Sequence, residues 1–314
     1  MHISILGGGS WGTALAIHLA KNHHTITIWE FFETQARKVQ DERICPLLPE
    51  VPLPQSMSVY SDMHKALAGA ELILLVVPSD KVESTIQQAK SLIQNQPIII
   101  CSKGFASSGQ LLGDVVQKQV SGNVYCLYGP THAEEVCKGI LSGIVLAGGE
   151  GKEKLKKVLE SKTLKVDLSD DIIGVQVAAA LKNILAVFIG VLDGAKLGDN
   201  TKAYVLTKGV EEIKNIGVKW GARTDTFYGL AGIGDVYVTC TSTHSRNHYV
   251  GEEVGKGRKL DEVLGEMKMV AEGITSVKQI PHLQKQFNLA LPLMNGLYQI
   301  LFEGAAVERI LEGL

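Results

Sequence analysis

The residues from Gly229 to Asn247 gather groups that bind anions. Gly229, Gly232 and Gly234 let backbone amides approach a ligand closely, and Thr239, Ser245, Arg246 and Asn247 supply hydroxyl, guanidinium and amide donors. That is the set a phosphomonoester needs. A polar surface loop is the plainer reading of the run from Thr241 to Asn247. The stretch before it, where glycine alternates with apolar residues around a lone Asp235, suits an ordered, partly buried wall. The balance favours a ligand site.

A second chemical signal lies in Val175–Leu192, the longest apolar region, which contains Lys182 and Asn183. A membrane span needs roughly 20 predominantly apolar residues, and the polar interruptions here argue for a buried core helix with no integral membrane segment. A helix apolar on every face is buried, so Lys182 and Asn183 are expected inside the protein. A buried ammonium must find a charged partner, deprotonate or face a ligand. Snorkelling to the surface or pairing with an internal carboxylate is the structural alternative to catalysis.

A third signal opens the chain. Ile3–Leu6 is a short apolar run, followed by Gly7-Gly8-Gly9-Ser10-Trp11-Gly12 and then the helix-like Thr13–Leu19. Gly7, Gly9 and Gly12 fit a spacing in which the first glycine permits a tight turn, the second lets backbone approach a pyrophosphate, and the third seats a helix on a strand. The helix N-terminus then faces the anion. Thr25–Trp29 reads as a second strand, with Glu30 after it where a ribose-binding acid sits.

These groups need a scaffold, and the rest of the first half supplies its pattern. Leu72–Val77, Pro97–Cys101 and Val124–Tyr128 are apolar runs ending in Pro78-Ser79, Ser102-Lys103-Gly104 and Gly129-Pro130-Thr131. Such strands, separated by helices, mark a parallel sheet covered on both faces, whose ligands bind beyond the carboxyl ends of the strands. Lys103, Gly129 and Thr131 fall there. Ser142–Gly148 and Thr163–Asp167 close the sheet, and after about residue 170 the pattern turns helical. The expected fold is α/β: a Rossmann-like, mostly parallel, dinucleotide-binding domain over residues 1–170, then an all-helical substrate-binding domain over 171–314.

Composition removes several classes. A net charge of −2 argues against a bulk nucleic-acid binder, so phosphate contacts must be local. The five cysteines form an odd set without metal-ligand spacing, so no metal is expected and reduced thiols in a cytoplasmic protein are the simplest account. Cys240 reads as a small buried hydrophobe. With only Met1 and His2 before Ile3, no signal peptide is expected. Asn200 and Thr201 either cap the helix beginning near Gly198 or line a cleft, and His132, His244 and His248 read first as local hydrogen-bonding residues.

The glycine turn with Trp11, Ser102-Lys103-Gly104, Gly129-Pro130-Thr131-His132-Ala133, Leu181-Lys182-Asn183, Gly198–Ala203 and Gly229–Asn247 together resemble bacterial NAD(P)-dependent glycerol-3-phosphate dehydrogenases, in the family's order and over most of the chain. The resemblance implies a homodimer that interconverts dihydroxyacetone phosphate and sn-glycerol 3-phosphate for phospholipid synthesis. It makes Lys182 the general acid/base at the C2 oxygen, with Lys103 and Asn183 holding and polarising that oxygen and Asp235 and Thr239 positioning substrate and lysine. Arg246 and Asn247 would clamp the phosphate, with Ser245, Thr131 and Gly129 nearby. Gly7, Gly9, Ser10, Trp11, Gly12, Glu30, Phe31, Lys103, Ala133, Arg246, Val270 and Glu272 would meet the cofactor.

Glu30-Phe31-Phe32 departs from the polar or basic residues common in relatives after the second strand. A carboxylate there accepts from ribose hydroxyls and repels a 2′-phosphate, so NAD is the expected preference, with NADP possible through Arg37. Two other readings remain open at this stage: a two-domain ketoacid or hydroxyacid reductase, and a non-catalytic dinucleotide sensor.

Overall fold

The computed structural model describes residues 1–242, 245–267 and 271–313. Its contacts divide the chain into two compact units, Met1–Ile172 and Ile173–Leu314.

The first unit alternates strand and helix. In chain order it runs β1 (His2–Leu6), α1 (Ser10–Lys21), β2 (Thr25–Trp29), α2 (Glu33–Glu42), β3 (Ile44–Cys45), β4 (Leu48–Pro52), β5 (Met57–Tyr60) and α3 (Met63–Leu67). It continues with β6 (Leu72–Leu75), α4 (Val82–Ala89), β7 (Ile98–Ile100), α5 (Leu112–Gln117), β8 (Val124–Tyr128), α6 (Ala133–Lys138), β9 (Ser142–Ala147), α7 (Lys152–Leu159) and β10 (Leu164–Ser169). Every residue of β6, β7 and β8 is buried, because helices cover both faces of a parallel sheet and leave no face for alternating polar residues.

The eight-stranded sheet has the order β10-β9-β8-β7-β6-β1-β2-β5. Strands β5, β2, β1, β6, β7 and β8 pair in parallel, β9 joins β8 antiparallel, and β10 is parallel to β9. The chain leaves β1 to build one side through β2 and β5, then returns to place β6 on the other side. Such a reversal opens a crevice at the carboxyl ends of the strands, where doubly wound sheets bind ligands. The loops after β1, β2, β6, β7 and β8 all end on that edge.

The second unit is helical: α8 (Ile172–Gly194), α9 (Gly198–Trp220), α10 (Asp235–Thr241), α11 (Arg246–Gly255), α12 (Leu260–Glu266), α13 (Glu272–Lys278), α14 (Ile280–Phe287), α15 (Pro292–Tyr298) and α16 (Val307–Glu312). Helix α8 is buried without interruption from Gly174 to Leu192. It is long and apolar enough to cross a membrane, but 89% of its apolar window lies inside the structure. Neighbours press on it closely. Ser276 of α13 donates to the Ala180 carbonyl at 2.9 Å, and a Cβ on Gly209 of α9 would overlap the Leu185 side chain. An α/β class with a mostly parallel sheet followed by helices is therefore the observed fold.

Candidate active site

In the first unit the glycine turn joins β1 to α1. Gly7 has a φ of +125° and its Cβ position lies 2.8 Å from the Val76 carbonyl carbon, so both conformation and space exclude a side chain. A Cβ on Gly12 would overlap the Gly7 carbonyl oxygen, as expected of the glycine that seats the helix on the strand. Gly9 differs: a Cβ there meets nothing within 4 Å. The fold does not require glycine at that position, whereas a pyrophosphate lying on the backbone would.

Other features of the turn fit the same group. Gly9 is the N-cap of α1 and no side chain caps the helix, which leaves backbone donors at its positive end for an anion. The Trp11 indole N–H is buried and has no hydrogen-bond partner among the described residues. Glu30 is buried, accepts from the Phe32 amide at 3.1 Å and has Oε2 2.5 Å from the Cβ position of Gly8. Burial pushes its carboxyl above the usual range, against the opposing donation from the Phe32 and Gly8 amides. Phe31 and Phe32 are exposed and stack edge to face at 5.1 Å. Arg37 is paired with Glu33 one turn before it on α2.

On the same strand edge, Lys103 follows β7 and Gly129 follows β8. The Lys103 ammonium donates to the Gly129 carbonyl at 3.2 Å, and the Thr131 hydroxyl donates to the same oxygen at 3.2 Å. Ser102 anchors this loop by donating to the Val77 carbonyl at 2.5 Å, while the buried Tyr128 hydroxyl donates to the Ser102 carbonyl at 2.6 Å. Ala133 begins α6 and is buried. The hydrogen bonds thus bring Lys103, Gly129 and Thr131 into one cluster.

In the second unit Lys182 is buried in α8, with its ammonium donating to the Asp235 carboxylate and to Thr239 Oγ1 at 2.7 Å. Thr239 passes its own hydrogen to the Asp235 carbonyl at 2.6 Å, one turn back along α10. Asp235 has no exposed surface. The structure therefore shows the internal-carboxylate alternative: the Asp235 carboxylate makes burial of the Lys182 ammonium tolerable. Asn183, the next residue, is buried beside it. Cys240 is buried, and burial pushes its thiol up to about 12, so it stays protonated and behaves as an apolar side chain.

The polar run after Thr241 turns into helix sooner than a loop reading allows. Ser245 caps α11, its Oγ accepting from the His248 amide at 3.3 Å, and Arg246 and Asn247 form the first turn. Arg246 is exposed and Asn247 buried. The Asn247 Oδ1 accepts from the Gly273 amide at 2.9 Å, which fixes the orientation of its amide NH₂ and ties α11 to the start of α13, where Glu272 sits. Val270 and His244 lie outside the described residues.

Two contacts were not legible from sequence. Asp193, in the last turn of α8, joins His248 of α11 at 2.8 Å and Lys202 of α9 at 2.7 Å. Burial works against its ionisation, but the hydrogen bonds from Lys202 and His248 prevail and hold its carboxyl below the usual range. Asn200 and Thr201 are not caps: α9 starts at Gly198 with Leu197 in the capping position, because the positive φ of Gly198 turns the chain into the helix earlier.

The N-terminal model of the NAD-dependent glycerol-3-phosphate dehydrogenase family matches residues 2–154, and its C-terminal model matches residues 171–312. The chain is 37% identical over 321 residues to a glycerol-3-phosphate dehydrogenase (NAD(P)+) of Chlorobium limicola, covering 98% of this chain and 96% of the relative. Against the same enzyme of Chlorobium luteolum the identity is 38% over 318 residues, with 98% and 96% covered. The crystal structure of glycerol-3-phosphate dehydrogenase from Coxiella burnetii is similar with a TM-score of 0.95 and 32% identity, covering 99% of this chain and 98% of that one. A dinucleotide-type sheet followed by a helical unit with a buried lysine makes this a dinucleotide-dependent oxidoreductase. The chain belongs to the NAD-dependent glycerol-3-phosphate dehydrogenase family.

Proposed function

We propose that this chain interconverts dihydroxyacetone phosphate and sn-glycerol 3-phosphate, with NAD as the preferred coenzyme and NADP as the poorer one. The observation that carries this reading is the buried Lys182 ammonium held by Asp235 and Thr239 in the same unit as the Arg246-Asn247 helix start. One group can move a proton at a ketone oxygen, and the other can grip a phosphate.

When bound, the dihydronicotinamide supplies hydride to the substrate's ketone carbon. Lys182 protonates the C2 oxygen as negative charge develops there, and removes that proton in the oxidative direction. Asp235 and Thr239 hold the Nζ nitrogen at its place, and Asn183 donates to the same oxygen. The phosphate lies on Arg246, the Asn247 amide and the N-terminus of α11, with Ser245 beside them. The family resemblance also gives Lys103, Gly129 and Thr131 substrate contacts. Gly7, Gly9, Ser10, Trp11, Gly12, Glu30, Phe31, Lys103, Ala133, Arg246 and Glu272 serve the coenzyme. Support for these roles comes from the orphaned Trp11 N–H, the open space at Gly9 and the motif match to the family.

The five cysteines are unpaired and buried, which favours a reducing, cytoplasmic setting. A homodimer, and a role in supplying glycerol 3-phosphate to phospholipid synthesis, are proposed on the family resemblance; sedimentation at assay concentration tests the dimer.

The deciding assay compares NADH oxidation with dihydroxyacetone phosphate, dihydroxyacetone and a panel of carboxylate ketoacids. Strong preference for the phosphate is expected, and Arg246→Ala should lose most of it, since a charge-assisted contact contributes roughly 1.5–3 kcal/mol. Equal use of the phosphorylated and unphosphorylated ketones would overturn the phosphate site. A ketoacid as best substrate would overturn the reaction assignment.

A further inference from the structure

Helices α8 and α11 meet backbone to backbone. On α8, a Cβ at Gly190 would lie 2.8 Å from the Glu252 amide nitrogen, and one at Gly194 2.8 Å from that of Lys256. On α11, a Cβ at Gly251 would lie 2.8 Å from the Val187 carbonyl carbon, and one at Gly255 3.0 Å from the Ala195 amide nitrogen. Each glycine pair is spaced four residues apart and so occupies one helix face. A contact between two smooth backbones fixes how closely the helices approach.

The Asp193–His248 bond adds a side-chain link between the same two helices. Asp193 stands three turns along α8 from Lys182, on nearly the same face. His248 lies in the first turn of α11, directly after Arg246 and Asn247, with its backbone amide held by the Ser245 cap and its ring nitrogen Nε2 2.8 Å from Asp193 Oδ2. Lys202, itself 2.7 Å from Asp199, holds the other oxygen of Asp193.

We propose that Asp193 and His248 are positioning residues that lock α11 in register on α8, setting the span between the Lys182 ammonium and the phosphate-binding start of α11, and so selecting the length of the phosphorylated ketone that is reduced. The inference rests on the roles given above to Lys182, Arg246 and Asn247. Neither Asp193 nor His248 touches substrate; both act through the helices they join.

The test uses the full-length chain and two ketones, dihydroxyacetone phosphate and its homologue with one more methylene between carbonyl and phosphate. His248→Ala should raise KM for dihydroxyacetone phosphate about tenfold, with a smaller change in kcat, because a shift of a fraction of an ångström in a remote group already lowers productive binding. The kcat/KM ratio between the two ketones should narrow. His248→Gln, whose amide nitrogen reaches the position of Nε2, should restore the ratio. If His248→Ala does not stay folded, Asp193→Asn gives the readout, with a narrowed ratio again expected. A ratio that stays at the wild-type value while total activity falls would assign these residues a purely structural role and overturn the inference. Failure of the wild-type chain to reduce dihydroxyacetone phosphate would instead overturn the functional reading beneath it.

Discussion

The side-chain carbonyl of Asn247 accepts the backbone N–H of Gly273 at 2.9 Å, so the first turn of α11 is stitched to the first turn of α13. That bond assigns the two ends of the Asn247 amide. The oxygen is committed to the protein, and only the NH₂ end can be offered to an anion. Asn247→Asp keeps the acceptor for Gly273 but replaces the donor by a negative charge. The fold should persist while KM for dihydroxyacetone phosphate rises steeply. Asn247→Ala should in addition lower stability by about 1–3 kcal/mol, the cost of leaving a buried amide unpaired. Thermal unfolding and KM measured on both variants separate the two effects; equal stability of the alanine and aspartate variants would remove the structural half of the assignment.

Lys182→Met should reduce turnover by about 10²–10⁴-fold, the usual contribution of a positioned acid or base. The same change removes the cation paired with Asp235, whose side chain has no exposed surface. Breaking a buried pair on one side costs about 3–5 kcal/mol. Adding Asp235→Asn should recover much of that stability and none of the turnover. Denaturant midpoints and kcat for the single and double variants check both halves. Recovery of activity in the double variant would remove Lys182 from the chemistry.

Glu30 should connect coenzyme choice to pH. Its folded-state value lies above the ordinary 4.5, so between the two values the folded chain carries more proton than the unfolded one. The stability contributed by the protonated form is therefore present below the ordinary value and lost as pH rises through the raised value. For the coenzyme, the neutral carboxyl no longer repels a 2′-phosphate, so discrimination against NADPH should weaken as pH falls into that window. The ratio of kcat/KM for NADH and NADPH, followed against pH in wild type and Glu30→Gln, separates this effect from titration of the 2′-phosphate itself. An identical pH dependence in both proteins would show that Glu30 does not read the ribose.

The glycine turn predicts a contrast between two alanine substitutions. Gly9→Ala points into open space and should leave stability nearly unchanged while weakening NADH binding. Gly12→Ala drives a methyl into the Gly7 carbonyl and should destabilise the fold itself. Melting temperatures without coenzyme and NADH dissociation constants check the pair; unchanged coenzyme affinity in Gly9→Ala would place the pyrophosphate elsewhere.

The sequence carried the parts of the site whose signal is local. The glycine spacing, Glu30 after a strand and a lysine inside an apolar helix are each written in a single segment. The partner of Lys182 was harder to assign, because Asp235 lies 53 residues away on a helix whose glycine-rich approach has no fixed periodicity. The start of α11 was obscured for a different reason: Ser, Arg and Asn suit a polar loop and a capped first turn equally well, and only the Ser245–His248 bond distinguishes them. Asp193 and His248 carried no spacing signal, since their bond depends on how two helices cross. The antiparallel entry of β9 was equally invisible, as an apolar strand reads the same in either direction.

The glycine contact between α8 and α11 inverts a common rule of mutational tolerance. Alanine is ordinarily the most benign replacement in a helix interior, and exchanging glycine for it raises helix propensity by about 1 kcal/mol. At Gly190, Gly194, Gly251 and Gly255 the added methyl has nowhere to go except against the neighbouring main chain, which cannot change rotamer to make room. In a saturation scan these four positions should reject alanine as firmly as larger residues. The helix that holds Lys182 thus has positions that resist replacement where no side chain is present at all.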